Sequence, residues 1–214
     1  MALVKLEKIN DNSSWAVWKI EEPLSALAEY VQWDNLSELT EWQLIHHPRK
    51  QAEWLAGRAA LKAVLLSWGV SSFGLYKDEK GKPHLADSPW HLSLANAYPY
   101  GVAVVHRHHP VGIDIEQPSE KLFRIQHKFL NAQEQEVAQG DPATMCIYWC
   151  IKECLYKLYG RKQLSLKQHI SVEKVAITDS VWAQASIQRE EERSAYALAG
   201  TRVGAFYVVY SVLA

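Results

Sequence analysis

Two short segments limit how this chain can fold more than any others: Gly112-Ile113-Asp114-Ile115-Glu116 and Trp149-Cys150-Ile151-Lys152-Glu153-Cys154-Leu155-Tyr156-Lys157. The first places carboxylates at i and i+2, which aims both at one face of a strand. The second reads as a helix, with Glu153 and Lys157 one turn apart. A fold that packs that helix beside that strand brings three carboxylates and an ammonium group around one point. Such a set suits a hard divalent cation and chemistry on a phosphate ester or pyrophosphate.

The rest of the chain permits such a fold. Its 214 residues are 48% hydrophobic and 22% charged, enough to bury a core and unlike a disordered composition. A formal net charge of −1 gives no support for bulk binding to nucleic acid or membranes. No apolar run approaches the roughly 18 residues of a membrane span, and Met1-Ala2-Leu3-Val4-Lys5 lacks a signal-peptide layout, so a cytoplasmic protein is expected. Cys146, Cys150 and Cys154 recur every four residues on one helical face, as small buried hydrophobes in a reducing compartment. His106, His108 and His109 precede Pro110 and are expected in a solvated turn.

Trp15–Ile20 reads as a strand and Pro23–Val31 as a helix that opens on proline. Ser37–Trp42 is expected to open another helix, with Ser37 or Thr40 as candidate caps, and a long helix is expected over Arg49–Trp68, where apolar residues recur at helical spacing up to Gly69. Gly81-Lys82-Pro83 marks a turn, followed by strands at Tyr100–Val105 and Val111–Ile115. The second half predicts helices at Leu122–His127, Gln133–Ala138 and Pro142–Tyr159, the last closed by Gly160. Strand character then returns at Ile170–Val175, Trp182–Ile187, Ala195–Leu198 and Gly204–Val212. The expectation is an α+β fold in two similar-sized lobes, residues 1–109 and 110–214.

With these elements placed, the chain resembles the 4′-phosphopantetheinyl transferases of the surfactin-synthetase-activating (Sfp) type. Gly112–Glu116 matches the G-[IV]-D-[IV]-E motif of that family, and Trp149–Lys157 matches W-x-x-K-E-[AS]-x-x-K, with Cys154 in the small-residue position. Ala56-Gly57-Arg58 resembles its A-G-R, Gly81-Lys82-Pro83 its G-K-P, and Phe129–Glu134 its F-[FLT]-[ST]-x-x-E. The likeness runs from roughly Glu53 to Val175. It departs where the family has S-H-S, because Ala95-Asn96-Ala97 stands there. Asn96 can donate a neutral hydrogen bond but cannot become a cation.

The resemblance implies a pseudo-symmetric pair of α/β lobes, the N-terminal one meeting the phosphates of coenzyme A. It implies Mg²⁺-dependent transfer of 4′-phosphopantetheine from coenzyme A to a serine of an apo acyl or peptidyl carrier protein, releasing adenosine 3′,5′-bisphosphate. Asp114, Glu116 and Glu153 would hold the metal. Glu134, Glu153 and Lys157 would act in catalysis, and Arg58, Lys82, Asn96, Lys152 and Lys157 would contact coenzyme A. A monomer is expected, with Lys121, Arg124 and Lys128 facing an acidic carrier. Two other readings stay open: a catalytically weakened relative that binds carrier or coenzyme A, suggested by Ala95-Asn96-Ala97, and a metal-dependent phosphohydrolase.

Overall fold

A computed structural model describes residues 2–32, 36–86, 88–161 and 163–212, without the side chains of 36 and 37. The chain divides into two compact units, Met1–Val111 and Gly112–Ala214. Each combines helices with an antiparallel sheet, so the fold is α+β.

In the first unit the elements run β1 (Leu3–Asn10), β2 (Ser13–Lys19), α1 (Leu24–Val31), α2 (Leu36–Gln43) and α3 (Pro48–Ser67). A small hairpin of β3 (Leu75–Lys77) and β4 (Pro83–Leu85) follows, then β5 (His91–Ala97) and β6 (Tyr100–His106). The sheet order is β1-β2-β6-β5. Helix α3 starts with Pro48 in its first turn, where the missing N–H costs nothing, and His47 accepts a bond from the Arg49 amide. Its small and aliphatic side chains, Ala56, Ala59, Leu61 and Val64 among them, pack with Ala16, Trp18, Ala103 and Val105 of the sheet. A Cβ on Gly101 would lie 2.2 Å from the Ala56 carbonyl carbon, so helix and strand backbones meet there directly.

The sequence reading did not anticipate β1. Its apolar side chains Leu3, Val4 and Leu6 are exposed on an edge strand, so the inward-outward alternation that marks a half-buried strand is weak. The reading of His106 as a solvated residue is also corrected. His108 and His109 are exposed, but His106 is only 3% exposed and its ring is turned onto the backbone.

The second unit runs β7 (Ile113–Glu116), α4 (Glu120–Phe129), α5 (Ala132–Ala138), α6 (Pro142–Tyr159), β8 (Ile170–Ile177), β9 (Ser180–Arg189), β10 (Glu192–Val203) and β11 (Phe206–Val212). The sheet order is β7-β11-β10-β9-β8, which makes β7 an edge strand paired with β11. The ends of α6 are set by local chemistry. Asp141 accepts from the Thr144 amide at 2.7 Å, Pro142 occupies the first turn, and Gly160 closes the helix with a left-handed φ of 63°. Cys146, Cys150 and Cys154 are free thiols buried in the core that joins α6 to the sheet.

Candidate functional site

Helix α6 lies against β7 with one face carrying Cys150, Glu153, Cys154 and Lys157. This i, i+3, i+4, i+7 spacing gathers them on a single stripe. Contact is closest at Gly112, just before β7. A Cβ there would sit 2.0 Å from the Cys154 carbonyl oxygen and 3.2 Å from its Sγ. Glycine is therefore required by close approach, and a bulkier residue than cysteine at 154 would crowd the same place. Gly112 is also tied to β11: its amide donates to Ser211 Oγ at 3.1 Å and its carbonyl accepts from the Ser211 amide at 3.0 Å.

Beyond that anchor, Asp114 is buried, at 7% exposure, and faces the stripe. Lys157 Nζ donates to Asp114 Oδ1 at 2.6 Å and to the Ile113 carbonyl at 3.2 Å. The Cys150 thiol on the same stripe donates to the Tyr207 carbonyl of β11 at 3.7 Å. Burial pushes Asp114 above the usual aspartate range, and the Lys157 ammonium opposes that push. Burial, reinforced by the negative charges of Asp114 and Glu116, pushes Glu153 up to about 7 against the pull of Lys157. Burial works against the charge on Lys157, but Asp114 and then Glu153 outweigh it and hold the amine above the ordinary lysine range. Asp114, Glu116, Glu153 and Lys157 are thus electrostatic neighbours. Glu116 is the outer member, its Oε1 accepting from the Gln117 amide at 2.9 Å.

Three neighbouring carboxylates and one ammonium leave a surplus of negative charge, and the carboxylate oxygens are hard donors of the kind Mg²⁺ takes. Among the described residues, no three His, Cys, Asp or Glu side chains stand close enough together to chelate an ion. The donor chemistry fits a divalent cation, whereas the arrangement here is held by Lys157 and is not a closed coordination shell.

Glu134 and Lys152 form a different construction. Lys152 points about 150° around α6 from the middle of the Cys150–Lys157 stripe, at 100° per residue. Its Nζ lies 2.7 Å from Glu134 Oε2 and donates to the carbonyls of Leu166 at 2.9 Å and Ile170 at 2.8 Å. An ammonium has three protons, and these three partners match them. Glu134 is equally occupied. It closes a capping box with Asn131 at the start of α5, and its Oε1 accepts from the Val172 amide at 3.0 Å. With exposures of 2% and 0%, Glu134 and Lys152 staple α5, α6 and β8 together. The structure does not bring either of them onto the Asp114 face of α6.

In the first unit, Arg58 lies on α3 at 6% exposure, over the Trp54 ring, with Nε and Nη2 on Glu38 Oε1 at 2.9 and 2.6 Å. Arg58 is thus paired with Glu38, a partner that gave no signal in the sequence. Lys82 follows the β3–β4 turn, its amide bonded to Asp78 Oδ1 at 2.9 Å, and burial lowers its pKa despite the nearby Asp78. Asn96 is exposed on β5, opposite Gly101. Ser211, which holds Gly112 through amide and carbonyl, is a further residue that sequence reasoning missed; it sits in no spacing that marks a site.

Residues 110–208 match the model of the 4′-phosphopantetheinyl transferase superfamily. That segment holds Gly112, Asp114, Glu116, Glu134, Lys152, Glu153 and Lys157 together. That superfamily is named for the transfer of 4′-phosphopantetheine. No curated protein matches the chain significantly. Among the described residues, no helix is long and apolar enough to cross a membrane.

Proposed function

We propose that this chain is a transferase of the Sfp type, a holo-acyl-carrier-protein synthase that moves 4′-phosphopantetheine from coenzyme A to a serine of an apo carrier protein. The observation that carries this reading is the convergence of Asp114, Glu153 and Lys157 where α6 meets β7, within the matched segment. In the reaction, the serine oxygen attacks the pyrophosphate phosphorus that bears the pantetheine arm. The phosphoanhydride bond breaks, and adenosine 3′,5′-bisphosphate leaves with the electron pair. Lys157, held charged by its carboxylate neighbours, meets the charge that grows on the leaving phosphate. Glu153, beside Lys157, is the carboxylate of this face assigned to take the serine proton. Glu134 is the weaker candidate for that step, since its oxygens already accept from Asn131, Val172 and Lys152.

Asp114, Glu116 and Glu153 would hold Mg²⁺, which when bound neutralises pyrophosphate oxygens. Arg58, Lys82 and Asn96 are assigned to the nucleotide end of coenzyme A in an N-terminal lobe of residues 1–109, and the catalytic groups to 110–214, in the pseudo-symmetric arrangement of that type. Lys121, Arg124 and Lys128 lie exposed at i, i+3 and i+7 on α4, a basic row for an acidic carrier. The reading includes a cytoplasmic monomer.

A second reading, a weakened relative that binds without efficient transfer, is favoured by the neutral Asn96 and by the absence of a closed triad among the described residues. One assay separates them. The protein is incubated with Mg²⁺, coenzyme A and apo acyl carrier protein, and the carrier is weighed. Gain of one phosphopantetheine, lost in Glu153→Gln, supports transfer. Carrier binding with no mass gain supports the second reading, and coenzyme A cleavage without carrier would mean phosphohydrolase chemistry.

A further inference from the structure

We propose that the turn from His106 to His109, at the end of β6, is an acid-opened joint. Protonation of the His106 ring at Nδ1 releases the two backbone amides it now holds. His106 Nδ1 accepts from the His108 amide and the His109 amide, both at 3.0 Å. A neutral imidazole has one acceptor nitrogen, so the ring proton sits on Nε2. The imidazole thus does what an asparagine carboxamide does in an Asx turn, where the side chain accepts from amides two and three residues on. An asparagine oxygen keeps that role at any physiological pH. An imidazole loses it on protonation, because both nitrogens then donate and the two amides face a third N–H.

The surroundings make the charged ring costly. His106 is 3% exposed. Within its own turn stand His108 and His109, with ring centroids at 6.2 and 5.1 Å, and Arg107. From β5, His91 is its register partner, and Lys82 and His84 act in turn on His91. From β2 the partner is Ser13, which carries no charge. The β1–β2 turn contributes Asp11, already paired with Lys8 at 2.6 Å, and Asn12, whose carbonyl accepts from the Arg107 amide. Asp78 of the β3–β4 turn is engaged by His84 at 3.1 Å. Burial, then His109, His108 and His91, all lower the His106 pKa. The unfolded chain therefore binds the proton first, and the turn loses stability as pH falls through the ordinary histidine range near 6.5. Residues 107–112 join β6 to the strand that bears Asp114, so the joint lies just ahead of Gly112 in the chain.

The test is amide exchange and ring ¹⁵N shifts on the full-length protein from pH 7.5 to 5.5. The protection of the His108 and His109 amides should be lost as the His106 ring titrates, because Nδ1 then no longer accepts. His106→Asn keeps an acceptor oxygen in the same turn and should make that protection independent of pH. The idea is overturned if the two amides stay protected while His106 protonates, or if His106→Asn loses protection over the same range. Should His106→Asn not fold, the native protein still decides, because Nδ1 must report an acceptor at pH 7.5 whose protonation tracks the amide loss.

Discussion

Gly112→Ala should disable the second unit by pushing apart its two site-bearing elements. The added methyl carbon would lie 2.0 Å from the Cys154 carbonyl oxygen and 2.8 Å from its carbon, where ordinary contact begins at 3.4 Å. Relief needs about 1.4 Å of separation between α6 and the start of β7, the difference between 3.4 and 2.0 Å. Neither side yields easily: Cys154 is helix backbone, and Gly112 is tied to Ser211 through amide and carbonyl. Overpacking of this kind costs about 1–3 kcal/mol, and a displacement near 1 Å at a catalytic array costs about 100-fold in rate. Urea denaturation should show the stability loss, and the carrier mass assay the loss of rate. The control is Cys154→Ala, which should not rescue Gly112→Ala, because the clash is with the main chain and the sulfur is only the third contact. Native stability in Gly112→Ala, or full rescue by Cys154→Ala, would refute the close-approach argument.

Two more outcomes follow from buried charge. Glu153 is raised from 4.5 to about 7 in the fold, so between those values the folded state holds a proton that the unfolded state has released. Metal-free stability should therefore decline as pH rises from about 4.5 to 7, and Glu153→Gln should recover on the order of 2 kcal/mol at pH 8, measured by urea titration; an unchanged pH profile in that variant would rule out the assignment. Lys152→Met should cost about 3–5 kcal/mol by leaving Glu134 buried with its charge uncompensated, and Glu134→Gln should return part of it. A double-mutant cycle with a coupling energy near zero would mean that the pair is not the staple described.

Local signals were strongest where one element satisfies itself. Helix α6 was legible over its full length because Asp141, Pro142 and Gly160 state its ends and its apolar residues keep one period. The register of Asp114 and Glu116 was legible for the same reason, being a property of four consecutive residues. Partnerships across distance were not. Glu134 and Lys152 stand 18 residues apart inside motifs, and only the fold shows that Leu166, Ile170 and Val172 complete their bonding. Arg58 and Glu38 meet through the packing of α2 on the rest of their unit, and no periodicity announces that. His106 was misread because three histidines before a proline look alike in sequence, while burial picks out one of them.

Helix α6 is thus keyed on two opposite sides, by the Asp114 contacts on one and by Glu134 with the 166–172 backbone on the other. Inserting one residue between Lys152 and Glu153 would turn everything downstream by about 100° and strand the acidic face without its strand, while leaving the opposite anchorage in place. An insertion ahead of Tyr148 would leave the spacing between the two sets of contacts unchanged, so both could still engage. The azimuth of this one rod is fixed twice, so homologous exchange of α6 should succeed only with helices of the same residue count from Lys152 to Lys157.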